Sequence, residues 1–369
     1  MLLKNLSLVN FKNYPEVDID LSHKINCFVG NNGVGKTNLL DSIHYLALCK
    51  SYFNAIDSQN ISHNQEFSII KGEFDIDNET ERIYCGIQRS KRKQFSRNKK
   101  EYQKLSDHIG FIPLVMISPA DSSLIMDGGE ERRKFINGVI SQYDRLYLEK
   151  IMNYNRILLQ RNKYLKTNFT VRNPDTSILD VYDEQLAELG QFIYNKRKDF
   201  VEELIPVFSR FYNYISSEKE DVSLKYISQI EGNDMLALLG KNREKDRIVQ
   251  YTSTGIHRDD LEMLLNGFSL KKTGSQGQQK TFQLALKLGK FEFIRNVSGK
   301  TPILLLDDVF DKFDASRVEQ IIRLVGEENF GQIFITDTDE TRMKRILARI
   351  GNDYVIYNID ETQKISRIE

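Results

Sequence analysis

The chain has no net charge, because its 52 Lys and Arg residues are balanced by 52 Asp and Glu. Any surface for an acidic partner must therefore be local rather than global. No apolar run approaches the length of a membrane span and no basic-then-apolar leader opens the sequence, so the expectation is a cytoplasmic protein with no membrane association. Cysteine is scarce: Cys27, Cys49 and Cys85 stand alone, with neither metal-ligand spacing nor an even count, as fits a reducing compartment. No acidic metal cluster stands apart from the motifs below, which argues against a nuclease. What remains is a chain of 369 residues, 40% apolar and 28% charged, the composition of a soluble core-forming protein. That length suits about two or three folding units.

The strongest local pattern is INCFVGNNGVGKTNLL, beginning at Ile25. A β-type run, Ile25 to Val29, leads into Gly30-x-x-x-x-Gly35-Lys36-Thr37, after which Leu39, Leu40, Ile43, Leu46 and Ala47 recur at helical spacing. Strand, glycine-rich loop and helix in that order make a phosphate-binding loop. The backbone N–H groups of Gly30, Asn31, Asn32, Gly33, Val34 and Gly35 can turn around phosphate oxygens, and the helix N-terminus adds positive potential. Lys36 reaches the β and γ phosphates, and Thr37 offers a hydroxyl to Mg²⁺. A second GKT, Gly299 to Thr301, lacks the upstream glycine and reads as a turn.

Such a loop needs a carboxylate for its metal, and TPILLLDDVFD (301 to 311) supplies one. Ile303 to Leu306 read as a buried parallel strand, with Asp307 and Asp308 at its C-terminal end, where open α/β sheets bind ligands. Asp307 is then placed to hold Mg²⁺, directly or through water, and Asp308 to orient or deprotonate an attacking water. An Asp that merely caps the next helix is the alternative.

TGSQGQQKT (273 to 281) places Ser275, Gly277 and Gln278 at the start of an amphipathic segment, Gln278 to Arg295. A serine and small residues at a helix start form an anion site, hence a second nucleotide contact. Between the two devices the chain is mostly helical in pattern. Tyr147, Ile151, Tyr154, Leu158 and Leu165 form one stripe with a polar gap at Arg161. A longer one runs through Leu179, Tyr182, Leu186, Leu189, Ile193, Phe200, Leu204, Val207, Phe211 and Tyr214. With a reversal at KTNFTVRNPD (166 to 175), these predict a helical hairpin, its second helix kinked or interrupted at Pro206. An ordinary helical subdomain is the alternative. VSLKYISQI (222 to 230) is expected to return the chain to the sheet, and DYVIYNI (353 to 359) to form a late strand.

IQRSKRKQFSRNKK (87 to 100) carries Arg89, Lys91, Arg92, Lys93, Arg97, Lys99 and Lys100 and no acid. It follows two β-type runs, 67 to 76 and 81 to 88, and so reads as a charged edge that contacts DNA phosphates, or as lysines that guard a sheet edge against aggregation. Phosphate contacts carry no base sequence, so recognition of DNA form is expected, such as a single-strand/double-strand junction or gap. Arg132-Arg133-Lys134 admits two readings, a phosphate or partner contact and a solvated helix face.

Ser275-Gln276-Gly277-Gln278, ahead of the Asp-containing strand, resembles the signature loop of ATP-binding-cassette ATPases, with its first glycine replaced. That resemblance implies a two-lobed α/β head in which Ser275, Gly277 and Gln278 cap ATP held on the P-loop of a second subunit. A transporter ATPase subunit shares these motifs but has a shorter insertion and a membrane partner. A chromosome-structuring scaffold needs far longer coiled coils. The stretches LSLVNFKNY (6 to 14), SPADSSLIMDGGEERRKFIN (118 to 137), YNRILLQRNKYLK (154 to 166), GIHRDDLEMLLNG (255 to 267) and GSQGQQKT resemble the RecF family of recombination mediator ATPases, in its order and over essentially the whole chain.

The resemblance implies three segments: residues 1–118 as the first ATPase lobe with the P-loop, 119–220 as a helical arm, and 221–369 as the second lobe with signature and Asp strand. It implies a weak, DNA-stimulated ATPase that uses ATP and Mg²⁺ and dimerises on gapped DNA. It also implies partners of the RecR and RecO kind, with which such proteins help the recombinase RecA displace single-strand-binding protein in DNA repair, DNA replication and the SOS response. Departures are visible. Ser51-Tyr52-Phe53 stands where Ser-Phe-Arg is usual, SPAD replaces a Pro-Glu-Asp, and TDTDE (336 to 340) has no γ-phosphate-sensing histidine, leaving Thr336 as a possible hydrogen-bonding group there. Asp308 replaces the glutamate of transporter ATPases, so slow hydrolysis is expected.

Overall fold

A computed structural model describes residues 1–169, 177–216, 220–310, 315–326, 330–349, 351 and 353–368. The chain forms two compact units, one of residues 1–121 and 287–369, the other of 122–286. The expected segments 1–118, 119–220 and 221–369 divide the chain by role, whereas these units divide it by contact.

The first unit opens with β1 (Leu2–Phe11), β2 (Tyr14–Asp20) and β3 (Ile25–Val29), followed by the helix Lys36–Leu48. Then come β4 (Phe67–Ile76), β5 (Glu79–Gln88), β6 (Gln94–Arg97), β7 (Lys100–Glu101) and β8 (Leu114–Ile117). The second unit contributes β9 (Val222–Ile227), β10 (Asp260–Leu265) and β11 (Phe268–Ser269). The chain then completes the first unit with β12 (Ile303–Asp307), β13 (Ile333–Asp337), β14 (Tyr354–Ile359) and β15 (Ile365–Arg367).

Two sheets make the first unit. One has the order β15-β14-β3-β13-β12-β8 and is parallel except at β15. Its central strands are mostly apolar, as burial on both faces requires, and every residue of β3, β8, β12 and β13 is buried, the polar Asn26, Asp307, Thr336 and Asp337 included. The strand expected at Ile303 to Leu306 is there, as are those at 25–29 and 353–359 within a residue or two. The second sheet, β2-β1-β4-β5-β6-β7, is antiparallel, and alternation turns Leu6, Leu8, Ile70, Phe74, Ile83, Cys85, Ile87 and Phe95 inward. The Lys36–Leu48 helix packs on both sheets. Gly72 lets it approach β4, since a Cβ there would lie 2.7 Å from Leu46. Gln332 ties the sheets together, donating to the Leu3 and Ser22 carbonyls at 2.8 and 2.7 Å and accepting from the Leu3 N–H at 2.7 Å.

In the second unit the helices Arg145–Thr167 and Ser177–Ser216 pack as the expected hairpin. Of the reversal read at 166–175, residues 170–175 lie outside the described residues. Pro206 does not interrupt the second helix, which runs unbroken for 40 residues. A proline removes one backbone hydrogen bond, and here Phe200, Leu204, Phe208 and Phe211 bury one continuous stripe on either side of it. The polar gap at Arg161 is a fully buried charge: its guanidinium donates to Asp183 at 2.7 Å, Asp246 at 2.8 Å and Thr252 at 2.9 Å. The buried stripes run through Ile157 rather than Leu158, Asp183 rather than Tyr182, Phe208 rather than Val207 and Ile215 rather than Tyr214. The segment 222–230 does not return to the parallel sheet. Val222–Ile227 pairs antiparallel with β10, in a separate three-stranded sheet of order β11-β10-β9.

His108, buried against Phe95 of β6 and the Lys36–Leu48 helix, faces the Leu46 carbonyl through Nε2 at 2.7 Å and the Tyr102 hydroxyl through Nδ1 at 3.1 Å. Burial brings its pKa down to about 4, and His44, likewise buried, also to about 4. The unfolded chain takes up these protons near pH 6.5 and the folded one only near 4. Each histidine therefore supplies stability above pH 6.5 that is lost as pH falls toward 4. Urea denaturation of wild type and His108→Gln between pH 7.5 and 4.5 should show the acid-side loss reduced in the variant by on the order of 2 kcal/mol. Parallel curves would refute the assignment.

Candidate nucleotide-binding site

Three parallel strands bring the site together. Their register sets Asp307 of β12 beside Thr336 of β13, and Asp337 beside Val29 of β3, so the P-loop and the Asp-Asp pair leave the same edge of the sheet. Gly30 (φ 150°) has the Ile359 carbonyl 2.4 Å from where a Cβ would sit, and Gly35 (φ 118°) has the Asn13 amide at 2.6 Å. Asn31, Asn32 and Gly33 form the exposed crest, while Val34 is buried. No side chain caps the helix that starts at Lys36, so its first turn offers N–H groups and positive potential to an anion. The Lys36 ammonium arches back over the loop, donating to the Gly30 and Asn31 carbonyls at 2.8 and 2.9 Å. Burial lowers its pKa, against the pull of Asp308, Asp307 and Asp337.

Asp307 is the hub. It accepts from Thr37 Oγ1 at 2.8 Å, Thr336 Oγ1 at 2.9 Å and Ser118 Oγ at 3.4 Å, and burial raises its pKa. Asp308 sits in the left-handed region (φ 49°), its N–H donating to Thr336 Oγ1 at 2.9 Å. Such a conformation is uncommon for a non-glycine residue and clusters at functional sites. Thr336 thus bridges the two aspartates, where the sequence indicated only a hydrogen-bonding group. Thr37 and Asp307 offer the hard oxygen donors that Mg²⁺ takes, and among the described residues no group of three or more His, Cys, Asp or Glu suggests another metal centre.

Sequence reasoning missed three contributors. Ser118 follows the apolar strand β8 just as Asp307 closes β12, and it meets Asp307 because those two strands are neighbours. Asn13, from the β1–β2 turn, donates to the Val34 carbonyl at 2.9 Å. Asp337, buried at the end of β13, is held by the Arg342 guanidinium at 2.6 Å.

In the second unit, Ser275 and Gln278 form a reciprocal cap on the helix Gln276–Ser298. The Gln278 N–H donates to Ser275 Oγ at 3.2 Å, and Gln278 Oε1 accepts from the Ser275 N–H at 2.7 Å. Gln278 also donates to Glu220 at 2.6 Å. Ser275, Gln276 and Gly277 are exposed.

The basic run divides. Arg89, Lys91, Arg92, Lys99 and Lys100 are exposed, the last two at the tight β6–β7 turn. Lys93 instead plugs inward, to the Cys49 carbonyl at 2.6 Å, Asp57 at 2.9 Å and the Tyr45 hydroxyl at 3.1 Å. Arg97 shares the inner face with Phe95, pairs with Glu81 and lies 3.9 Å over the Phe111 ring. Arg132 pairs with Asp260 at 2.6 Å, Arg133 donates to the Asp259 carbonyl at 2.7 Å and Lys134 pairs with Glu131 at 2.7 Å, so this triplet has internal partners. Where the arginine was missed, Lys12 places its ammonium 5.3 Å from the Phe53 ring and bonds Asp41 at 2.5 Å.

Comparison with known proteins accords with this geometry. A family model described as the RecF/RecN/SMC N terminal domain matches residues 2–357. The DNA replication and repair protein RecF of Bacteroides thetaiotaomicron is 51% identical over 362 residues, covering 98% of this chain and 97% of that protein. Its counterpart in Flavobacterium johnsoniae is 48% identical over 359 residues, covering 97% and 100%. The solved structure of the recombination mediator protein RecF with ATP, of the RecFOR pathway, matches with a TM-score of 0.90 at 27% identity over 100% of this chain and 98% of that one. An Smc head bound to the C-winged helix domain of ScpA, 15% identical with a TM-score of 0.59, shares the fold. No helix among the described residues is long and apolar enough to cross a membrane. The chain belongs to the RecF family of DNA replication and repair proteins.

Proposed function

We propose that this protein is an ATP-driven DNA clamp of recombinational gap repair and DNA replication. The observation that carries the reading is the bonded set Thr37, Asp307, Thr336 and Asp308 beside the P-loop, an arrangement suited to ATP. The backbone from Gly30 to Gly35 cradles the phosphates, with Lys36 reaching the β and γ groups. Thr37 and Asp307 hold Mg²⁺, which would neutralise charge developing on the phosphates. Asp308 orients or deprotonates the attacking water, and its short side chain makes hydrolysis slow.

Ser275, Gly277 and Gln278, exposed or half-buried at a helix start, contact the ATP held by a second copy, so that ATP drives dimerisation. The closed dimer grips a single-strand/double-strand junction through phosphates, and hydrolysis, stimulated by DNA, releases it. In this reading residues 1–118 and 221–369 are the two lobes and 119–220 the arm, and partners resembling RecR and RecO couple the clamp to recombinase loading in the cytoplasm.

Sedimentation velocity of Asp308→Asn with Mg-ATP should show a dimer that disappears when Ser275→Arg is added. An ATP-bound monomer, or dimers indifferent to Ser275, would refute the clamp. Among the exposed basic residues, Lys99 and Lys100 lie side by side at the β6–β7 turn. Lys99→Gln/Lys100→Gln should weaken gapped-DNA binding and reduce the slope of log affinity against log salt by about 2. An unchanged slope would place the DNA elsewhere.

A further inference from the structure

The P-loop is braced from outside by a side chain that no phosphate would touch. Asn13, in the turn between β1 and β2, donates through Nδ2 to the Val34 carbonyl at 2.9 Å. Its Oδ1 accepts from Asn38 Nδ2 at 2.7 Å. The second bond sets the orientation of the first, since an amide whose oxygen is engaged by Asn38 presents its NH₂ to Val34. In a trans peptide the C=O and N–H point in opposite directions. Holding the Val34 carbonyl outward therefore turns the Gly35 N–H into the loop.

The turn is itself fixed. Lys12 pairs with the buried carboxylate of Asp41 at 2.5 Å, and the Lys12 N–H donates to the Asn60 carbonyl at 2.9 Å. The Asn13 amide and the Tyr14 ring fill the space beside Gly35, 2.6 to 2.9 Å from where a Cβ would stand.

We propose that Asn13 is a positioning residue for nucleotide binding, with Asn38 as its orienting partner: together they preset the loop N–H groups that grip the β-phosphate. The inference rests on the nucleotide reading of the site. A preset donor binds an anion without a reorganisation cost, and a charge-assisted hydrogen bond is worth about tenfold or more in affinity.

The test is binding of a fluorescent ADP analogue and of ATP to purified full-length protein. Asn13→Ala should weaken both about tenfold or more, with the melting temperature of the nucleotide-free protein changed little. Asn13→Asp should be weaker still, because it sets a carboxylate oxygen against the Val34 carbonyl. Asn38→Ala should give a smaller loss, and the double variant Asn13→Ala/Asn38→Ala should bind no worse than Asn13→Ala alone, since orienting an absent amide contributes nothing. Phe11→Leu, which loosens the same hairpin without touching the amide, should lower the melting temperature and leave affinity unchanged. Wild-type affinity in Asn13→Ala, equal losses in Phe11→Leu, or additive losses at 13 and 38 would each overturn the inference. If the wild type binds neither nucleotide, the nucleotide reading fails and this inference fails with it.

Discussion

The bond from Thr37 to Asp307, 2.8 Å long, joins residues 270 positions apart, and the site is organised around it. It locks the first turn of the P-loop helix to the end of β12, and through Thr336 it reaches β13 and the left-handed backbone of Asp308. A buried carboxylate with three hydroxyl donors is satisfied without a counter-ion, yet burial still raises its pKa. That tension is what a cation relieves. In the proposed reading, Asp307 is hydrogen-bonded enough to be satisfied without an ion, and a divalent cation held with Thr37 would stabilise its charged form.

Around this centre the supporting polar groups are held on rigid elements. Asn13 reaches the P-loop from a hairpin pinned at both sides, Asp337 is fixed by Arg342, and Gln332 fastens the N-terminal strand to the parallel sheet. Placing donors on strands and packed turns lowers the entropy to be lost when an anion arrives.

Much of this was legible because it is local. The P-loop needs only glycines at set spacing between a strand and a helix, and Asp307 announces itself at the end of four buried apolar residues. Ser275 and Gln278 read as a helix start from their spacing alone. Ser118 and Asn13 did not, because their relation to Asp307 and Val34 depends on which strands are neighbours, and strand order is not written in spacing. Linear charge misled for a related reason. Seven basic residues in fourteen look like one surface, but period-two alternation turns Arg97 inward with Phe95, and Asp57, far upstream, takes Lys93. The gap at Arg161 looked like a break in an apolar stripe, because its partners Asp183 and Asp246 are remote in sequence. Val222–Ile227 was assigned to the wrong sheet for want of knowing that β10 would be its neighbour.

The position of β3 has a bearing on how the molecule is born. Both neighbours of this strand, β13 and β14, begin more than 300 residues after it, whereas β1, β2, β4 and β5 pair within the first 88 residues and unit 122–286 is continuous in the chain. During synthesis the antiparallel sheet and the second unit can form from what has already emerged, while the P-loop strand waits with both hydrogen-bonding edges open until almost the last residue is made. The phosphate-binding loop and its aspartates are therefore assembled last, and a chain that stops between the second unit and β13 lacks the strand that joins β3 to β12.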